Sequence, residues 1–107
     1  MRLRTDDKTI LDSILSLMGT NTNQIVVLGD TLEAISELSG YSTSTIKSSV
    51  SRLSKDKLIL PTYQLTAEYI INPSFAYKGN EDAIWEFIQA VHYKGNTPRE
   101  VLFIPEN

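Results

Sequence analysis

Apolar residues recur every three to four positions in four segments of the chain, a spacing typical of amphipathic helices. Between these segments lie short runs of β-branched and other apolar residues bounded by turn residues, which is typical of strands. The pattern predicts helices at about 6–19, 31–40, 42–55 and 81–93, and strands at about 24–28, 58–60 and 68–71.

The second and third helices have the spacing of a helix-turn-helix. Ser36 is a small residue at which two helices can pack closely, and Gly40, four positions later, permits the positive φ of the turn. Ser42 is a good N-cap for the third helix, whose inner face would carry Ile46, Val50 and Leu53. Leu38 is expected on the buried stripe of the second helix. A plain three-helix bundle with a glycine turn is the alternative.

The strand pair that follows the third helix favours a winged helix over that bundle. The first strand, 58–60, is expected to be broken at Pro61, and the second, 68–71, to stop at Asn72-Pro73. Phe75 and Tyr77 are then expected to turn back toward the core. The fold prediction is α+β: one winged helix-turn-helix domain over residues 1–107, with the helix-turn-helix at 31–55, the wing at 58–72 and a C-terminal helix at 81–93.

The outward face of the third helix carries hydroxyl groups and cations and no carboxylate. At ~100° per residue, it lies opposite the inner stripe, and such a face can enter a DNA major groove, where hydroxyls and cations reach base edges and phosphates. Lys47 lies on its flank, as a phosphate contact. The predicted DNA-binding residues are Thr43, Ser44, Thr45, Lys47, Ser48, Ser51, Arg52 and Lys55. A solvated polar face is the plainer interpretation. If DNA is bound here, Arg52→Ala and Ser48→Ala should weaken binding and leave the fold intact.

The same region resembles a known family. The segment 41–47, Tyr-Ser-Thr-Ser-Thr-Ile-Lys, and the segment 69–73, Tyr-Ile-Ile-Asn-Pro, followed by Lys78-Gly79, are similar to the winged-helix region of RepL-type plasmid replication proteins. The resemblance covers about residues 30–80. It implies binding of a plasmid or phage origin, or of a related operator. The sequence departs from a basic wing, because no Lys or Arg lies between Lys57 and Lys78, and DNA contact is therefore expected mainly from the third helix.

Charge is unevenly distributed along an acidic chain of net charge -3. Residues 41–79 carry five basic and two acidic groups, whereas the segments on either side are each acidic by three charges. This is the asymmetry expected of a DNA-binding face on an acidic body. The apolar runs are too short to span a bilayer, the first residues do not form a secretory signal, and cysteine is absent, so a cytoplasmic protein is expected.

Chemistry-bearing residues do not form an enzymatic pattern. His92 has no cysteine or second histidine with which to share a metal ion, and the pairs Asp6-Asp7 and Glu81-Asp82 stand at helix N-termini, where the helix dipole stabilises carboxylates. Neither a nucleophile elbow nor a phosphate-binding glycine loop is present. We expect no enzyme activity, no cofactor and no metal site.

Sequence-specific double-stranded DNA binding is therefore the predicted function, in plasmid or phage replication initiation or its control. A transcriptional regulator of the same fold is an alternative, as is a protein-interaction module that has lost DNA binding and uses its acidic ends or the Trp85 helix. Trp85 and Phe87 have two interpretations, a homodimer contact or core packing.

Overall fold

The computed structural model describes residues 3–62 and 65–91. In that part of the chain the elements are α1 (Thr5–Leu17), β1 (Gln24–Val26), α2 (Gly29–Ser39), α3 (Thr43–Lys55), β2 (Ile59–Pro61), β3 (Glu68–Ile71) and α4 (Glu81–Val91). The predicted α+β class is confirmed. The arrangement of four helices and a three-stranded antiparallel sheet is compatible with the predicted winged helix.

The sheet has the strand order β1-β3-β2, with β3 antiparallel to both neighbours. The expected pairing of the two strands after α3 is confirmed. Pro61 was expected to follow the end of the first strand, but it is the last residue of β2. The pairing of β1 with β3, on the side opposite β2, was not predicted. That pairing ties the segment between α1 and α2 to the β2–β3 hairpin.

Side chains of the sheet alternate between two apolar clusters, as the pleat requires. Ile59 and Ile71 face α1, α2 and α3 and are fully buried among them. Leu60 and Ile70 face the other way and pack against α4. Consequently α3 and α4 lie on opposite faces of the sheet, and the outer surface of α3 is free of α4.

The turn between α2 and α3 forms as its residues predict. Gly40 has a φ of 80°, in the left-handed region that other residues enter at a cost. The Ser36 hydroxyl donates to the Tyr41 carbonyl oxygen at 2.6 Å, so this small residue also closes the turn. Ser42 caps α3, with its Oγ accepting from the Thr45 amide at 3.2 Å.

Three apolar residues predicted to be in the core are exposed instead. Leu38 is 59% exposed because α2 turns only Leu32 and Ile35 fully inward. Phe75 and Tyr77 are 42% and 53% exposed, so the segment after Pro73 does not return them to the core. The helix starts also differ: α1 begins at Thr5, and α2 begins at Gly29 without a side-chain cap.

Hydrogen bonds explain the course of the segment that follows β3. The Asn72 side chain donates to the Lys57 carbonyl oxygen at 2.9 Å and accepts from the Ser74 amide at 2.9 Å. Fully buried Asn23 donates to the Ile71 and Ala76 carbonyl oxygens at 2.9 Å each and accepts from the Lys78 amide at 3.0 Å. Side-chain amides therefore position the segment, which leaves its aromatic residues outside.

The Lys-Gly pair of the resemblance has a structural role. The Lys78 Nζ donates to the Met18 carbonyl oxygen at 2.9 Å, at the C-terminal end of α1, where a cation complements the helix dipole. Gly79 has a φ of 94°, and a Cβ there would stand 2.9 Å from the Asn21 amide nitrogen. Lys78 and Gly79 thus hold the segment after β3 against the C-terminal end of α1.

The last helix buries Trp85, one of the two residues that were open to a dimer interpretation. Trp85 is 5% exposed and donates from Nε1 to a Glu81 carboxylate oxygen at 3.0 Å, while Phe87 is half-buried. Trp85 therefore packs within its own chain. The predicted continuation of the helix through residues 92 and 93, and His92 itself, lie outside the described residues. Across 3–62 and 65–91, no helix combines the length and apolarity that crossing a bilayer requires.

Candidate nucleic-acid interface

The outer surface of α3 is exposed along its whole length. The inner stripe of Ile46, Val50 and Leu53 is buried as predicted, which turns the opposite side to solvent. Of the eight predicted DNA-binding residues, six are exposed, namely Thr43, Ser44, Lys47, Ser48, Ser51 and Lys55. Thr45 and Arg52 are intermediate.

Part of the hydroxyl set on α3 is engaged in its own N-terminal cap. The Ser42 hydroxyl donates to the Thr45 Oγ1 at 2.9 Å and lies 3.3 Å from the Ser44 Oγ. These bonds fix the first turn and leave Ser48 and Ser51 further along the helix as exposed hydroxyls. The helix itself contains no carboxylate, and each of these hydroxyls can donate to or accept from a ligand.

Arg52 is bound to Asp7, a carboxylate that was predicted only to lie at a helix N-terminus. Its Nη2 donates to Asp7 Oδ1 at 2.7 Å and its Nε to Asp7 Oδ2 at 3.0 Å. Ser49, fully buried, donates to the same Asp7 Oδ1 at 2.7 Å. This bidentate pair fastens α3 to the first turn of α1. The expectation that Arg52→Ala would leave the fold intact conflicts with these contacts.

The pair formed by Arg52 and Asp7 shifts the pKa of both partners. Hydrogen bonds from Arg52 hold the pKa of Asp7 below its ordinary value, against the opposing effect of burial, and Ser49 adds to the lowering. Hydrogen bonding to Asp7 correspondingly raises the pKa of the Arg52 guanidinium. Because the Asp7 side chain is only 6% exposed, its ionised form depends on these partners.

We predict that acid removes the stability which this pair provides. A carboxyl whose pKa is lowered by folding stabilises the protein above its unfolded pKa, and this contribution is lost as the pH falls through the lower folded value. The parent should therefore exceed Asp7→Asn in free energy of unfolding by a constant amount at neutral pH. This difference should become smaller as the pH falls below 3.8, the ordinary pKa of aspartate. Urea denaturation from pH 7 to pH 2 measures it. An equal difference at both ends of that range would contradict the assignment.

Two lysines remain on the outer surface of α3 with their charge unpaired. Ion pairs among the described residues join only Arg4, Asp6, Asp7 and Arg52, so Lys47 and Lys55 have none within that part of the chain. Lys47 borders a shallow apolar groove that runs toward Thr66 in the β2–β3 loop. Lys55 lies in the last turn of α3.

The N-terminal end of α1 borders the same surface, a contact that was not predicted from the sequence. Arg4 and Asp6 line a shallow cleft together with Ser44, Ser48 and Arg52. Arg4 also lines the adjoining cleft that reaches Lys55 and Asp56. No local pattern in the sequence links residues 4–7 to α3, because the contact depends on how α1 crosses it.

The basic segment 41–79 does not form one basic surface. Arg52 is paired with Asp7, and Lys78 binds the far end of α1, which is roughly 16 Å from Asp7 along the helix at 1.5 Å per residue. The unpaired cations of α3 are therefore the two lysines. Within the described ranges, no three His, Cys, Asp or Glu residues are grouped so that they could hold a metal ion.

No family model, curated protein or solved structure matches the chain.

Proposed function

We propose that the chain is a winged helix-turn-helix protein that binds double-stranded DNA, with α3 in the major groove and the β2–β3 hairpin as the wing. The observation that carries the proposal is the outer surface of α3. It is exposed from Thr43 to Lys55, presents hydroxyls and two unpaired lysines, and contains no carboxylate. An anionic ligand with hydrogen-bonding edges complements this surface.

The dimensions and chemistry of α3 suit a major groove. A helix fits the groove, which is about 12 Å wide, and hydroxyl side chains can pair with either donors or acceptors on base edges. Ser48 and Ser51 are placed to do this from the middle of the helix. In this proposal Lys47, on the flank of the helix, and Lys55, in its last turn, contact phosphates, which fix the position of the helix without reading sequence.

The β2–β3 hairpin contributes little positive charge to the proposed DNA-binding surface. Its described loop residues are Thr62, Leu65, Thr66 and Ala67, and no Lys or Arg occurs between Lys57 and Lys78. Counterion release by cations supplies most of the nonspecific affinity for DNA. In this proposal the affinity accordingly comes from α3 and the neighbouring end of α1.

The biological process rests on the resemblance over residues 30–80 to RepL-type plasmid replication proteins. On that basis we propose binding of a plasmid or phage origin, in replication initiation or its control. Transcriptional regulation through an operator would use the same surface. A homodimer on an inverted repeat remains a prediction, and with Trp85 buried in its own chain, that residue no longer favours it.

Salt-dependent duplex binding distinguishes DNA binding from a protein-interaction module. The affinity of the parent for duplex DNA should fall linearly with salt concentration on logarithmic axes, with a slope of about -0.9 per phosphate contacted. Fluorescence anisotropy over a salt series gives this slope. Absence of duplex binding at low salt would contradict the proposal and favour the interaction module.

Ser48→Ala tests base reading separately from phosphate contact. Loss of one hydroxyl hydrogen bond is worth about 0.5–1.5 kcal/mol, so affinity for a preferred site should fall about two- to tenfold. Affinity for unrelated duplex should be unchanged, because the lysines remain. Ser16→Ala is the matched control, because it removes an exposed hydroxyl at the C-terminal end of α1, away from α3, and should not change either affinity. Equal losses on preferred and unrelated duplex would contradict base reading by Ser48.

A further inference from the structure

Arg4 presents a second cationic element beside α3. It precedes the first residue of α1, and its side chain is 64% exposed. The two clefts that it lines extend along α3 from Ser44 and Ser48 to Lys55. A DNA backbone that follows α3 at the groove edge would pass within reach of this guanidinium.

Asp6 neutralises that guanidinium in the free protein. Arg4 donates from Nε to Asp6 Oδ1 at 3.2 Å and from Nη2 to Asp6 Oδ2 at 3.3 Å. Asp6 Oδ2 also lies 3.5 Å from the Arg52 Nη2, so one carboxylate stands between two arginines. The Asp6 side chain is only 17% exposed and lies between two cations, so it competes with a DNA phosphate for Arg4.

Asp6 is not required to hold Arg52, because Asp7 binds Arg52 at 2.7 Å. Its other contact accepts the Asp7 amide at 2.9 Å through Oδ1. An asparagine at position 6 can accept the same hydrogen bond. The negative charge of Asp6 can therefore be removed while the attachment of α1 to α3 is kept.

We propose that Arg4 is a DNA-phosphate contact and that Asp6 restrains it, which lowers affinity for duplex DNA of any sequence. This inference rests on the proposed function. Asp6 holds the cation that would otherwise bind a phosphate entering the cleft. Because Arg4 would contact the DNA backbone, its restraint by Asp6 lowers the affinity for all sequences alike. The preference among sites is then set by the base contacts of α3.

Asp6→Asn is the direct test. Releasing Arg4 amounts to gaining about one phosphate contact, so affinity for random duplex should rise roughly eightfold at 0.1 M salt and the salt slope should steepen by about 0.9. Glu86→Gln is the matched control, since it makes the same change in net charge at an exposed position of α4, on the opposite face of the sheet. Its effect should be less than twofold.

A double-mutant cycle assigns the gain to Arg4. In an Arg4→Gln background, Asp6→Asn should raise affinity by less than twofold. The proposal is overturned if Asp6→Asn does not raise affinity in the parent, or if its gain persists in Arg4→Gln. If the parent binds duplex and either of these results is found, only this inference fails. If the parent binds no duplex, the proposed function fails with it. Urea midpoints of all variants at pH 7 confirm that the affinities compare folded proteins.

Discussion

Replacing Lys47 and Lys55 together by glutamine is expected to reduce affinity for duplex DNA roughly 60-fold at 0.1 M salt. Each phosphate contact contributes about 0.9 to the slope of log affinity against log salt, which is about eightfold per contact at this concentration. The double variant should therefore also flatten the slope by about 1.8. Both side chains are exposed and lack an ion pair within the described residues, so the fold should be unaffected. Anisotropy titrations over a salt series measure both quantities.

The matched control places the same charge change on the other side of the sheet. Gln89→Glu with Ala90→Glu alters two exposed positions of α4 and lowers net charge by the same amount. If affinity followed only net charge, the two double variants would weaken binding equally. That result would contradict the assignment of α3 as the helix that contacts DNA. A loss confined to the lysine variant supports contact at α3.

Asp7→Ala is expected to lower the free energy of unfolding by about 2 kcal/mol. The substitution removes the acceptor of two Arg52 bonds and leaves the fully buried Ser49 hydroxyl without its partner. Losing hydrogen bonds to a charged group, and leaving a buried donor unsatisfied, costs this order of energy. In a chain of this size the melting temperature should fall by about 10 °C. Urea and thermal denaturation at pH 7 measure the two values.

Asp12 supplies the comparison for Asp7. It is an exposed carboxylate on the same helix, so Asp12→Ala should change the free energy of unfolding by less than about 0.5 kcal/mol. Equal effects of the two substitutions would show that the Arg52 pair contributes nothing.

Local patterns were sufficient to predict α3 and its exposed surface. The burial of Ile46, Val50 and Leu53 at helical spacing determines which side faces outward, and Ser42 and Gly40 specify where the helix begins and the turn lies. The β2–β3 pair was likewise predictable from its β-branched residues and its turn. These features depend on neighbours within a few positions, which a sequence displays directly.

Contacts between distant segments account for what the sequence did not reveal. Arg52 was assigned to DNA because its position on α3 points outward, yet its partner Asp7 is 45 positions away. Phe75 was expected inside because it is apolar, while the buried Asn23, 52 positions earlier, directs the segment outside through hydrogen bonds. The role of Arg4 beside α3 has the same origin. Long-range partners of charged and amide groups are not specified by periodicity.

Selection of bound sequences from a random pool of duplex DNA tests the central claim most directly. If α3 reads base edges, the parent should enrich one sequence motif, and Ser48→Ala should enrich it less strongly or prefer a different base at one position. Enrichment of an inverted repeat would further indicate a homodimer. Recovery of a pool with no preferred motif, together with the absence of salt-dependent duplex binding, would contradict the claim that this chain is a sequence-specific DNA-binding protein.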